Sequence, residues 1–165
     1  MAIHSVFRSD ALVATSASAG LYSVKYHNGT DYAAIDNGRV VALDSLITGE
    51  RETWKTVTPA ADTALNKVVI IGTPEVMYDE RLRNLTDFYN EAGEIVRGYM
   101  LFDGDIFSVS DDALTGTAAV GNIVELQADT KLKVVATATS GSTKVGEVIA
   151  IETVGTIKYV VVRVG

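Results

Sequence analysis

From residue 94 onward the chain repeats one local grammar. A glycine and a polar residue lead into a run of β-formers, as in Gly104-Asp105-Ile106-Phe107, Gly121-Asn122-Ile123-Val124 and Gly146-Glu147-Val148-Ile149. Branched side chains sit well on a pleated strand, and glycine supplies the turn that feeds it. Short runs of this kind, punctuated every few residues by Gly-containing turns, specify an all-β fold, a small β-barrel or β-sandwich. Expected strands begin near Ile95, Asp105, Gly121, Leu132, Gly146 and Thr156. The segments are unevenly spaced, so they are turns feeding strands rather than a repeat array. In the last run Lys158, Val160, Val162 and Val164 share one face while Ile157, Tyr159, Val161 and Arg163 share the other. Neither face is mainly polar, which predicts a strand buried on both sides.

Upstream the signals are more varied. Residues 1–20 are small and poorly charged, without a clear period, and read as an N-terminal arm that either is partly ordered or lies on a neighbouring protein. Residues 21–57 carry two Asn-Gly pairs, Asn28-Gly29 and Asn37-Gly38. Such pairs suit type I′ hairpin turns and predict a meander. Residues 67–72 are a short apolar run ending in glycine, consistent with a buried strand. Over 75–92 the spacing of Tyr78, Leu82, Leu85, Phe88 and Ala92 allows one short amphipathic helix, opened by Thr73-Pro74 and stopped at Gly93. Asp79, Asn84, Thr86, Asp87 and Asn90 are poor interior helix formers, and an ordered loop fits as well. The expected organisation is an arm over 1–20 and a β-rich domain over 21–165, divisible near residue 94 into 21–93 and 94–165.

The chain has 165 residues, with 14 basic and 21 acidic side chains and no cysteine. The net charge of −7 argues against nucleic acid, which is bound by neutralising phosphates with Lys and Arg. Lack of cysteine excludes disulfides, thiolate metal sites and thiol catalysis. No basic region followed by an apolar run opens the sequence, and no stretch approaches the ~20 apolar residues that span a bilayer as a helix. The expectation is a soluble chain made in a cytoplasm, with no membrane partner.

Catalytic constellations are equally sparse. The two histidines, His4 in the arm and His27 beside a turn, have no nucleophile elbow near them. Gly141-Ser142-Thr143-Lys144 places its lysine after the hydroxyl residues, the wrong order for a phosphate loop, and reads as a hairpin tip. Asp103, Asp105, Asp111 and Asp112 lack the spacing of a calcium loop and suit turns. Trp54, the sole tryptophan, is flanked by charges and suits an edge or interface. The cluster at 79–83 reads as a solvated face with local ion pairs. No catalytic residue, cofactor or metal is expected, and the chain does not read as an enzyme.

The runs Val120-Gly121-Asn122-Ile123-Val124-Glu125-Leu126, Val145-Gly146-Glu147-Val148-Ile149-Ala150-Ile151 and Tyr159-Val160-Val161-Val162-Arg163-Val164 resemble the head decoration, or capsid cement, proteins of tailed bacteriophages. Residues 35–43 and 104–109 are similar to phage structural proteins as well. The resemblance covers roughly residues 35–165. It implies a β-tulip-like barrel that binds the outer surface of the expanded capsid in a virion assembled in a bacterial cytoplasm. It also implies a homotrimer whose partner is the major capsid protein. No binding residue of the family maps onto these motifs. The interface candidates are therefore Ile3, Val6, Phe7 and Leu12 of the arm, together with Trp54. The competing readings are another virion component, such as a head-fibre base or tail protein, and a β-domain that binds cell-surface carbohydrate.

Overall fold

The computed structural model describes residues 3–8, 20–79 and 84–165. The fold is all-β, with eleven strands among the described residues. The first five are β1 (Leu21–Tyr26), β2 (Val40–Leu46), β3 (Thr53–Val57), β4 (Val68–Ile71) and β5 (Val96–Met100). They close a barrel in the order β1-β3-β2-β4-β5, with β5 hydrogen-bonded back to β1. The others are β6 (Ile106–Ser110), β7 (Leu114–Thr115), β8 (Ile123–Glu125), β9 (Leu132–Val135), β10 (Lys144–Val154) and β11 (Ile157–Val164). They form a curled second sheet in the order β6-β11-β10-β8-β9-β7. None of the described helices is long and apolar enough to cross a membrane.

The run Val68–Ile71 is buried at every residue because β4 faces two cores. Val69 and Ile71 point into the barrel with Val24, Ile35, Val41 and Val96. Val68 and Ile70 point outward, with Val40 of β2, onto a larger cluster that includes Phe107, Val109, Leu126, Leu132, Val160 and Val162 of the second sheet. Strands buried on both faces lose their polar alternation, which is why this stretch shows no period of two. β11 has the same character: between β6 and β10 it buries Tyr159 through Val162 in succession. The two sheets meet between Met100 and Ile106, and their shared cluster makes them one packing unit.

Several expectations are corrected. Residues 21–57 do not form a meander: β1 lies parallel to β3, and β2 pairs antiparallel with β3 and β4. Among the described residues only glycines have positive φ, so neither Asn-Gly pair is a type I′ turn. Asn28 instead folds its side chain back, its Oδ1 accepting from the amides of Thr30 and Asp31 at 3.0 Å each. Of the two readings of 75–92 the loop holds, and no α-helix forms in its described part. That stretch is an irregular loop with one 3₁₀ turn, Leu85–Asp87, held by a reciprocal Asn84–Asp87 cap. Residues 80–83 lie outside the described residues. The segment 139–143 is not a hairpin tip either, because β8 sits between β9 and β10 and the segment crosses over it.

The N-terminal residues 3–8 are packed against the domain rather than extended away from it. Phe7 bridges Val109, the Arg8 amide donates to the Ser108 carbonyl at 3.1 Å, and the Ser110 amide donates to the Val6 carbonyl at 2.9 Å. These bonds make residues 6–8 a short strand on the outer edge of β6. An edge strand with open backbone groups invites unwanted pairing, and this segment covers it.

Among the described residues two carboxylates, Asp105 and Glu125, are almost fully enclosed, and Glu125 is the one paired with a lysine. Glu125 on β8 is 1 % exposed and faces Lys133, its cross-strand neighbour on β9, with Nζ 3.2 Å from Oε1. Its Oε2 accepts from the Thr139 amide at 2.9 Å. Burial alone would raise its pKa. The Thr139 hydroxyl and amide, together with the Lys133 ammonium, outweigh that effect and hold the carboxyl below its ordinary range. A depressed folded-state pKa contributes stability above the unfolded-state value of about 4.3, and that stability disappears as the pH falls through the folded value. Glu125→Gln should therefore cost about 1–3 kcal/mol near neutrality. Denaturation of both proteins across the acid range should show this gap closing as the pH drops. A gap that stays constant to pH 2 would contradict the ionised assignment.

Candidate interaction surface

The longest irregular connection runs from β4 to β5, and the sequence ties it down at both ends. Asn37, 1 % exposed, accepts from the Thr73 amide at 3.0 Å and donates from Nδ2 to the Thr73 carbonyl at 2.8 Å. Asn90, fully buried, exchanges backbone bonds with Ile35 and donates from Nδ2 to the Ile35 carbonyl at 2.9 Å and to Asn37 Oδ1 at 3.2 Å. Two enclosed asparagines thus fix where the loop leaves the barrel and where it returns.

Between these anchors the loop presents apolar side chains to solvent. Tyr78 is 96 % exposed, Val76 61 % and Ile95 54 %, while Leu85 and Tyr89 are exposed to a lesser extent. Val76, Met77, Tyr78, Phe88 and Tyr89 line a shallow cleft of about 280 Å³, rimmed by Asp79, Asp87, Glu91 and Glu94. A second cleft of similar size is lined in part by Leu21, Pro74 and Ile95. Isolated exposed apolar residues are ordinary, but a group of them rimmed by carboxylates has the composition of an interaction surface.

The N-terminal segment contributes to this surface. The His4 amide donates to the Thr86 carbonyl at 3.0 Å, its ring stacks on Tyr89 with centroids 4.9 Å apart, and Nδ1–H donates to Asp36 Oδ1 at 2.7 Å. Asp36 in turn accepts from Arg39 at 3.2 Å. Ile3 is therefore held beside the 3₁₀ turn, and it is 70 % exposed.

The five candidates from the sequence do not share one environment. Ile3 belongs to the exposed surface. Val6 and Phe7 are each 2 % exposed, packed along the edge of β6. Trp54 is half-buried on β3, edge-on to Tyr22 with ring centroids 6.3 Å apart, and packs on the barrel cluster. Leu12 lies outside the described residues. Tyr78 and Leu85 were missed because their spacing fitted the buried stripe of a helix, and Val76 and Tyr89 because nothing in the sequence marked them. Their exposure follows from the loop anchors at Asn37 and Asn90, whose partners are far away in sequence.

The acidic residues do not converge. Asp105 turns inward to accept from the Phe102 amide at 2.9 Å, and Asp111 faces Lys158 at 3.4 Å. His27 Nδ1 accepts from the Gly29 amide at 3.1 Å within its own turn. Among the described residues no group of three or more His, Asp or Glu is placed to hold a metal ion. No family of known proteins, no curated protein sequence and no solved structure matches the chain.

Proposed function

We propose that this chain is a non-enzymatic structural protein of a bacteriophage virion. In this reading it binds as a homotrimer to the outside of the expanded capsid and ties neighbouring major capsid subunits together. The observation that carries the reading is the rigidly anchored apolar loop around Tyr78 with its acidic rim. The likeness of the C-terminal strand motifs to capsid cement proteins supplies the class of partner. A protein that binds the assembled shell and not free subunits stabilises the shell by mass action. The loop suits such a contact, because exposed aromatic anchors on a rigid frame lose little freedom on docking. A complementary partner surface carries apolar side chains ringed by Lys and Arg, and its association slows as salt screens the acidic rim.

The test adds purified protein to expanded heads that lack decoration and counts bound copies by sedimentation and gel densitometry. Saturation at a fixed lattice stoichiometry, with a higher disruption temperature, is the expected result. Tyr78→Ala should weaken binding by about tenfold or more, as loss of a central aromatic contact does, while leaving the thermal stability of the free protein unchanged. Absence of binding to the matching capsid would rule the role out and direct attention to tail assembly or glycans.

A further inference from the structure

The edge of β6 is a built groove for a strand, and the strand that fills it is joined to the rest of the fold by a long connection. Ser5, Val6 and Phe7 are each 2 % exposed, so an empty groove would expose a core. The groove is shaped by distant parts of the chain. Gly72 leaves room for the Phe7 ring, since a Cβ there would stand 2.6 Å from it. The Asn37 carbonyl accepts from Ser5 Oγ at 2.6 Å, and Ser110 Oγ accepts from the Val6 amide at 3.0 Å. None of these partners belongs to β1, the element to which residues 3–8 are connected.

That connection is the eleven residues 9–19, which carry one charge, Asp10, and no proline. At full extension it reaches roughly 40 Å. A compact domain of this length is also about 40 Å across. The connection is therefore long enough for the strand to serve a neighbouring copy, and its composition is compatible with passage between two protein surfaces. These contacts are the same whichever copy supplies the strand.

We propose that residues 3–8 are exchanged between copies, each copy's strand lying on the β6 edge of the next around a closed trimer. A head-to-tail exchange that closes on itself fills every groove and leaves none over. This rests on the self-association proposed above and not on the capsid as partner.

The chain has no cysteine, so paired cysteines report directly on which copy supplies the strand. Arg8→Cys with Ser108→Cys places two thiols on directly opposed residues, within the Cα separation a disulfide accepts. Val6→Cys with Ser110→Cys does the same two pairs further along, on the other side of Phe7 and Val109, and serves if the first variant misfolds. Light scattering first gives the oligomeric state, and the oxidised protein is then run on a denaturing gel without reductant. A trimer whose cross-linked material runs at two- and three-chain mass is the expected result. A trimer cross-linked only at single-chain mass would overturn the exchange and leave self-association intact. A monomer would overturn both. Thiols that stay titratable in both variants would overturn the exchange, because the strand would then lie on no β6 edge.

Discussion

Phe7→Ala should lower the unfolding free energy by about 3–5 kcal/mol, the range for removing a buried aromatic ring from a packed core. For a chain of this length that corresponds to a fall in Tm of roughly 10 °C. The effect is large for a residue seven positions into the sequence, because its ring is 2 % exposed and tilts against Tyr99 at 5.7 Å. It also bridges Val109, the fourth of the five residues of β6. Ile3→Ala, four residues earlier and 70 % exposed, is the matched control and should stay within about 0.5 kcal/mol of the parent. Thermal and urea denaturation of the two variants decide the matter. Equal stabilities would mean that residues 3–8 do not hold the position described.

Gly146→Ala should be at least as damaging. A Cβ at this position would run into the Arg163 carbonyl oxygen, and it would stand 2.8 Å from that residue's carbonyl carbon and 3.0 Å from the Val164 Cα. These are backbone atoms of the neighbouring strand, so no side chain can swing aside. Relief requires β10 and β11 to part where Gly146 pairs with Val164, next to the register shift between Lys144 and Gly146. Overpacking of this kind costs about 3 kcal/mol or more when backbone must move. Gly141→Ala is the informative comparison. Its φ of 85° strains an alanine, yet no atom lies within 4 Å of the added carbon, so only the conformational cost of about 1 kcal/mol applies. Urea midpoints should separate the two by a clear margin at unchanged m. A loss below 1 kcal/mol for Gly146→Ala would show that the two strands do not approach as closely as described.

How much of this could be read in advance depended on the range of the interaction involved. Strand positions after residue 94 were legible, because alternation and glycine turns are local properties of the backbone. The double burial of β11 was legible for the same reason: Tyr159-Val160-Val161-Val162 leaves no polar face. Pairing was not legible. A period of two assigns faces but does not say which strand lies alongside, and so the parallel contact of β1 with β3 and the crossing of 139–143 over β8 left no mark. The helix allowed over 75–92, beside an ordered loop, came from apolar residues at helical spacing. The anchors Asn37 and Asn90 override that spacing and leave Tyr78 and Leu85 facing solvent. Phe7 was placed on an arm because nothing near it in sequence is its partner; Val109 and Gly72 are. Nothing in the sequence marked Glu125, because its partner Lys133 is brought opposite it by strand pairing.

The place of β11 bears on how the protein is made. It is synthesised last of the eleven strands, yet it lies between β6 and β10 in the second sheet. The barrel has all of its strands once Met100 has been made. Its outward residues Val40, Val68 and Ile70 then wait for the rest of the shared core. At cellular elongation rates of about 5–20 residues per second, that wait lasts several seconds. During it β6 has neither neighbour strand in the sheet nor a finished core beneath it. The growing chain thus carries a closed barrel with one greasy side, and only arrival of the final strand removes the hazard. Any chain that stops before β11 keeps that side exposed, a target for chaperones, proteases or aggregation.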